Sequence, residues 1–101
     1  MNSSFDELIN SQTPVLIDFF AVWCGPCKMV TPVLEQYKNK MGDNIRIVKI
    51  DVDKNPHLAS RYQVSGVPTL ALFKEGKMLW RKSGALPLHV LQQELSPFVK
   101  A

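Results

Sequence analysis

The chain has 101 residues, enough for one domain (1–101) with a real core, burying about 60–70% of its unfolded surface on folding. Its 46% hydrophobic and 21% charged residues are the proportions of an ordinary soluble globular protein. The net charge of +3 is spread over scattered lysines and arginines, which excludes a basic stripe for nucleic acid.

The first ten residues carry Asp6 and Glu7 and no basic segment ahead of an apolar run, unlike a secretory signal. The longest apolar run, Val15 to Trp23, is broken by Asp18 and falls far short of the ~20 residues that a membrane-crossing helix needs. A cytoplasmic protein is expected, or a mature form whose signal has been removed.

In chain order, Ser4 followed by Glu7, with Phe5, Leu8 and Ile9 apolar, predicts a capping box and a short helix that ends by Thr13-Pro14. Val15 to Phe20 reads as a strand apolar on both faces, hence central and covered on both sides. Beyond Cys27, Val30, Val33, Leu34, Tyr37 and Met41 recur at helical spacing up to a stop at Gly42, with Pro32 expected to kink the helix. Ile45 to Ile50 is a second strand. Asn55-Pro56 opens a short helix to about Tyr62, with the asparagine as its cap.

Gly66-Val67-Pro68 is a turn, and Thr69–Phe73 and Met78–Lys82 form a hairpin through Glu75-Gly76. Pro87 to Val99 is a last amphipathic helix whose final turn Pro97 should distort. One strand–helix–strand unit followed by a hairpin implies an α/β domain, a mixed sheet with helices on both faces.

Both cysteines of the chain lie in Trp23-Cys24-Gly25-Pro26-Cys27, between the first strand and the long helix. Three positions apart in a first helical turn, they are close enough for a disulfide. So short a loop stabilises little, about 2 kcal/mol against about 3 for a fifteen-residue loop, so this bridge is suited to being made and broken. Cys24 falls at the helix cap, where free N–H groups and the helix dipole favour a thiolate, the nucleophilic form. Cys27, one turn in, is expected to be the less exposed, resolving thiol. A zinc site would need two further ligands, and only the isolated His57 and His89 are on offer; no metal is expected. A CxxC between a strand and a helix near a βαβ unit points to redox chemistry instead.

Trp23-Cys24-Gly25-Pro26-Cys27-Lys28 resembles the active-site motif of the thioredoxin family. The likeness spans almost the whole chain through Asp18, Pro32, Lys49, Gly66-Val67-Pro68-Thr69, Phe73, Gly76 and Gly84. It implies a thioredoxin fold with four flanking helices. Only Met1 to Ser3 precede the first helix, too few for the extra N-terminal strand of bacterial members, so four strands are expected in the order Ile45–Ile50, Val15–Phe20, Thr69–Phe73, Met78–Lys82, the first two parallel. That leaves Ile45–Ile50 as an exposed edge, where an otherwise monomeric chain would weakly self-associate.

The resemblance further implies a protein-disulfide reductase. Cys24 attacks a disulfide-containing protein substrate, Cys27 resolves the mixed disulfide, and a flavin-containing, NADPH-dependent thioredoxin reductase resets the pair. No bound cofactor is implied, since the Cys24–Cys27 disulfide is itself the redox group. Gly25-Pro26 favours this reductant over an oxidant or isomerase, and the intact site favours it over a binding subunit of a larger assembly.

Pro68 is expected cis, with the Val67 backbone bonding an extended substrate and Trp23, Gly25, Pro26, Gly66, Val67, Gly84 and Ala85 forming the docking surface. Asp18, interrupting an apolar strand, is expected buried, with a raised pKa that suits proton transfer with Cys27; the alternative is a solvated edge aspartate. Lys49 is expected to extend towards Asp18 as its charge partner; the alternative is an ordinary surface lysine. For Trp23 the alternative is core packing. Phe20 stands where the family commonly has tryptophan, and Val22 where an acid sometimes stands.

Overall fold

The computed structural model describes residues 3–100. Helix α1 spans Ser3–Ile9, strand β1 Val15–Phe20, helix α2 Gly25–Met41, strand β2 Arg46–Asp51, helix α3 Pro56–Arg61, strands β3 and β4 Thr69–Lys74 and Lys77–Ser83, and helix α4 Leu88–Leu95. A short 3₁₀ turn, Gly42–Asn44, follows α2. Among the described residues the sheet has four strands in the order β2-β1-β3-β4, with β1 parallel to β2 and the other pairs antiparallel. This is the expected mixed sheet.

Strand β1 is central because both its faces are apolar, and Val15 to Phe19 are fully buried. Its Leu16 joins Leu70 and Leu72 of β3 beneath Val30, Leu34 and Tyr37 of α2 and Leu91 and Leu95 of α4. Its Val15, Ile17 and Phe19 face the other way, with Phe73 of β3, onto Phe5 and Ile9 of α1 and Leu58 of α3. The period-2 alternation of the strand thus separates two cores with α2 and α4 on one face and α1 and α3 on the other.

Several boundaries move for local reasons. Helix α1 is already under way at Ser3, so Ser4 is not its cap; the preceding residues lie outside the described range. Asn55 occupies the cap of α3, but its side-chain amide donates instead to the Asp51 carbonyl, 3.0 Å away. Helix α2 carries Pro32 without ending and stops at Gly42, whose φ of +58° suits a residue lacking a Cβ. Lys38 Nζ then reaches forward to the carbonyls of Gly42 and Ile45, both at 2.7 Å.

Helix α4 ends at Leu95 rather than running to Val99. Pro97 has no N–H to offer the Gln93 carbonyl, which accepts the Ser96 hydroxyl instead at 3.0 Å. The β3–β4 hairpin turns through Glu75 (φ +53°) and Gly76 (φ +81°), as a tight two-residue loop requires.

The topology places the cysteines. Phe19 near the end of β1 pairs with Thr69 at the start of β3. The segment leaving β1 towards α2 therefore lies beside the segment that enters β3, Gly66-Val67-Pro68.

Candidate active site

Cys24 is the N-cap of α2, in extended conformation (φ −87°, ψ 112°), and its Sγ accepts a 3.1 Å hydrogen bond from the Cys27 N–H. Gly25 and Pro26 fill the first positions of the helix, and Pro26 has no N–H to leave unsatisfied there. The two cysteines form a disulfide across a Cα–Cα distance of 5.3 Å. Reduction leaves Cys24 Sγ in front of the same N–H and the positive end of α2, which favours its thiolate over its thiol.

Exposure does not tell the two sulfurs apart as expected. Cys24 is 3% and Cys27 4% exposed, both packed with Ala21 against Phe20, Val52 and Val67. Place in the helix separates them: Cys24 sits at the cap, whereas Cys27 lies inside the first turn.

On the other side, Cys24 Sγ lies 3.6 Å from the Val67 carbonyl oxygen. The Val67–Pro68 peptide is cis. Its loop is tied down by the Thr69 hydroxyl, which donates to the Gly66 carbonyl at 2.6 Å, and by the Gly84 N–H, which donates to the Pro68 carbonyl at 2.8 Å. Gly84 has a φ of +96°, which a side chain would strain. Val67 thus packs against the disulfide, Gly66 and Gly84 are hydrogen-bonded into the loop that carries it, and Ala85 is exposed next to Gly84.

Trp23 belongs to the surface and not to the core: it is 70% exposed, and its Nε1 donates to Asp53 Oδ2 at 2.8 Å. Asp53 is not among the site residues that the sequence singles out. The chain around it reads as a turn, and it is one, with Asp51 Oδ1 accepting the Asp53 N–H at 2.9 Å. Nothing local marks Asp53 as a partner of an indole thirty residues away.

Asp18 is fully buried, and neither carboxylate oxygen has a hydrogen-bond partner among the described residues. Burial pushes its pKa up to about 6, and the Lys49 charge opposes that rise only in part. Lys49 lies opposite Asp18 in the β1–β2 register, on the face shared with Ile45 and Ile47, as the sequence suggests. Its ammonium does not extend to the carboxylate. It donates to Thr31 Oγ1 on α2 at 3.1 Å and stands 4.7 Å from the centre of the Phe20 ring. The expected ion pair is replaced by a longer-range interaction, and the Thr31 hydroxyl and the Phe20 ring meet the cation instead.

Among the described residues no group of three His, Cys, Asp or Glu side chains could hold a metal, and no helix is long and apolar enough to cross a membrane.

A redox-active disulfide at a helix cap, facing a cis-proline loop over a mixed sheet, defines the thiol–disulfide oxidoreductase class. Comparison with known proteins narrows the class. The family model described as Thioredoxin matches residues 1–97. The chain belongs to the thioredoxin family.

It is 49% identical over 94 residues to the chloroplastic thioredoxin Y of Oryza sativa subsp. japonica, covering 92% of this chain and 56% of that one. Against thioredoxin 1 of Chlorobaculum tepidum identity is 45% over 96 residues, covering 94% and 95% respectively. The chain thus spans a little over half of the plant relative and nearly all of the bacterial one. Among solved structures, the oxidised mitochondrial thioredoxin 3 of Saccharomyces cerevisiae superposes with a TM-score of 0.86 at 36% identity, covering 95% of this chain and 89% of that one. A point mutant of a thioredoxin from Halobacterium salinarum gives 0.88 at 36% identity, with 100% and 88% covered.

Proposed function

We propose that the chain is a protein-disulfide reductase that carries electrons from a thioredoxin reductase, itself fed by NADPH, to disulfide-containing proteins. The observation that carries this reading is the position of Cys24 Sγ, with the Cys27 N–H on one side at 3.1 Å and the Val67 carbonyl on the other at 3.6 Å. The first favours a thiolate. The second marks a backbone against which an extended substrate segment pairs as if adding a strand, bringing its disulfide to the sulfur.

In the forward step the Cys24 thiolate attacks one sulfur of the substrate disulfide, forming a mixed disulfide and expelling the other substrate sulfur as a thiolate. Cys27 then gives its proton to the Asp18 carboxylate, and the Cys27 thiolate attacks Cys24 Sγ. The Cys24–Cys27 bond forms, the bond from Cys24 to the substrate breaks, and the substrate leaves with both sulfurs reduced. A pKa near 6 suits Asp18 to this transfer, since the carboxyl both accepts and returns a proton close to neutrality.

Trp23, Gly25, Pro26, Gly66, Val67, Gly84 and Ala85 form the docking surface in this reading, and Lys49 tunes Asp18 from a distance. Cytoplasmic residence and a monomeric state accompany it; the outer edge of β2, which bears no strand among the described residues, is where copies would pair weakly.

The test is reduction of a protein disulfide coupled to NADPH oxidation through a thioredoxin reductase. Sustained turnover that disappears in Cys24→Ser is expected. A folded protein that gives no turnover would overturn the reading.

A further inference from the structure

The contacts of Lys49 with Thr31 and Phe20 bear on the proton-transfer half of the reaction. Phe20, Cys27, Thr31 and Lys49 are among the walls of a solvent-open hollow of about 210 Å³ at the N-terminal end of α2. Asp18 lies on the same sheet face as Lys49 and directly opposite it in the strand register, yet both its oxygens are without hydrogen-bond partners among the described residues. The Lys49 ammonium, free to rotate on a four-carbon stem, would ordinarily move to such a carboxylate. Here it is bonded to the Thr31 hydroxyl and lies against the Phe20 ring, a favourable place for a cation.

We propose that Thr31 is a positioning residue of the reaction: its hydroxyl, with the Phe20 ring, holds Lys49 off Asp18, so that the buried carboxylate stays uncompensated and ready to take a proton from Cys27.

The groups around Asp18 leave this arrangement in control. Strand β2 presents Lys49, and β3 presents Leu70 in register on the other side. Helix α2 presents Cys27, Thr31 and the exposed Lys28 to the hollow, of which Lys28 exerts no resolved effect on Asp18, and α4 contributes Leu91 and Leu95 to the apolar packing on this face. Glu35 and Lys38 line a neighbouring groove that also reaches Thr31 and Lys49, but Glu35 forms no ion pair with Lys49 among the described residues and the Lys38 ammonium is held by the carbonyls of Gly42 and Ile45. Lys49 is therefore the charge whose position sets the balance, and the opposing effect it already exerts on Asp18 would grow as it approached.

The inference rests on the reading of Asp18 as proton acceptor, and the experiment separates the two. The Asp18 carboxyl is titrated by carbon NMR in wild type, Thr31→Val, Thr31→Ser and Lys49→Met, and the pH profile of mixed-disulfide release is recorded for each. Thr31→Val keeps the branched shape and loses the acceptor. It should lower the Asp18 midpoint by about one pH unit, close to a tenfold loss of proton affinity. Thr31→Ser, which keeps the hydroxyl, should restore the wild-type midpoint. Adding Thr31→Val to Lys49→Met should change nothing further, and Glu35→Gln should leave the midpoint alone. An unmoved midpoint in Thr31→Val, or an equal shift with and without Lys49, overturns the positioning role. A midpoint that moves while the release profile does not would support the placement of Lys49 and overturn Asp18 as the acceptor.

Discussion

The indole Nε1 of Trp23 donates a 2.8 Å hydrogen bond to the carboxylate of Asp53 while the ring stands 70% exposed beside the disulfide. An exposed tryptophan held at its polar end presents a fixed apolar face to whatever docks there, and the turn after β2 supplies the hold. Asp53→Ala should therefore raise KM for a protein disulfide about three- to fivefold with little change in kcat, as expected for loss of roughly 1 kcal/mol. Asp53→Asn retains an acceptor and should recover most of the affinity. Steady-state kinetics would check both, and an unchanged KM in the alanine variant would confine Asp53 to the turn.

The unequal placement of the two sulfurs gives a chemical signature. With Cys24 at the cap and Cys27 inside the helix, Cys27→Ser should accumulate a covalent complex with a protein substrate, because nothing then resolves the mixed disulfide. Cys24→Ser should accumulate none. Non-reducing gels with mass spectrometry would read the adducts, and equal trapping by both variants would reverse the assignment.

Asp18 links stability to pH. Its carboxyl is pushed up from the ordinary 3.8 to about 6, so the folded chain holds this proton more tightly than the unfolded one. Stability from this group is complete below the unfolded value and falls as pH rises towards about 6, by on the order of 3 kcal/mol in all. Asp18→Asn cannot ionise. It should exceed wild type by about 1–3 kcal/mol at pH 8 and lose that advantage near pH 4, at the expense of slower substrate release. Urea unfolding at the two pH values would show it, and a pH-independent difference would mean that ionisation of Asp18 is not the cause.

The β3–β4 turn offers a control far from the chemistry. Glu75 holds a φ of +53°, a region that asparagine tolerates better than glutamate. Glu75→Asn should stabilise the protein by about 0.5–1 kcal/mol and leave reductase activity unchanged. Thermal unfolding is the measure; a lowered midpoint would show that the glutamate makes a compensating contact.

Much of the fold is legible because local patterns agree with one another. The doubly apolar Val15–Phe20 had to be central, Glu75-Gly76 had to turn, and Gly42 had to stop a helix. The structure departs from these patterns where a polar side chain has a choice. Asn55 reads as a helix cap and bonds the Asp51 carbonyl, and Lys49 reads as the partner of Asp18 and bonds Thr31. Residue type and spacing say which bonds such a side chain is able to make, and competition among neighbours in space decides which one it makes.

The sequence by itself determined the pair of sulfurs: their spacing, their place at the cap of α2, and the buried aspartate on the preceding strand. All three follow from rules that act over a few residues, namely helix capping, strand alternation and the preference for a thiolate at a helix N-terminus. Only the tertiary structure decided what surrounds that pair. The Val67 carbonyl stands 43 positions from Cys24 in the chain, Asp53 stands 30 from Trp23, and Thr31 stands 18 from Lys49. Contacts of that range are set by sheet register and by the packing of α2 over β1 and β2, which depend on the whole chain at once.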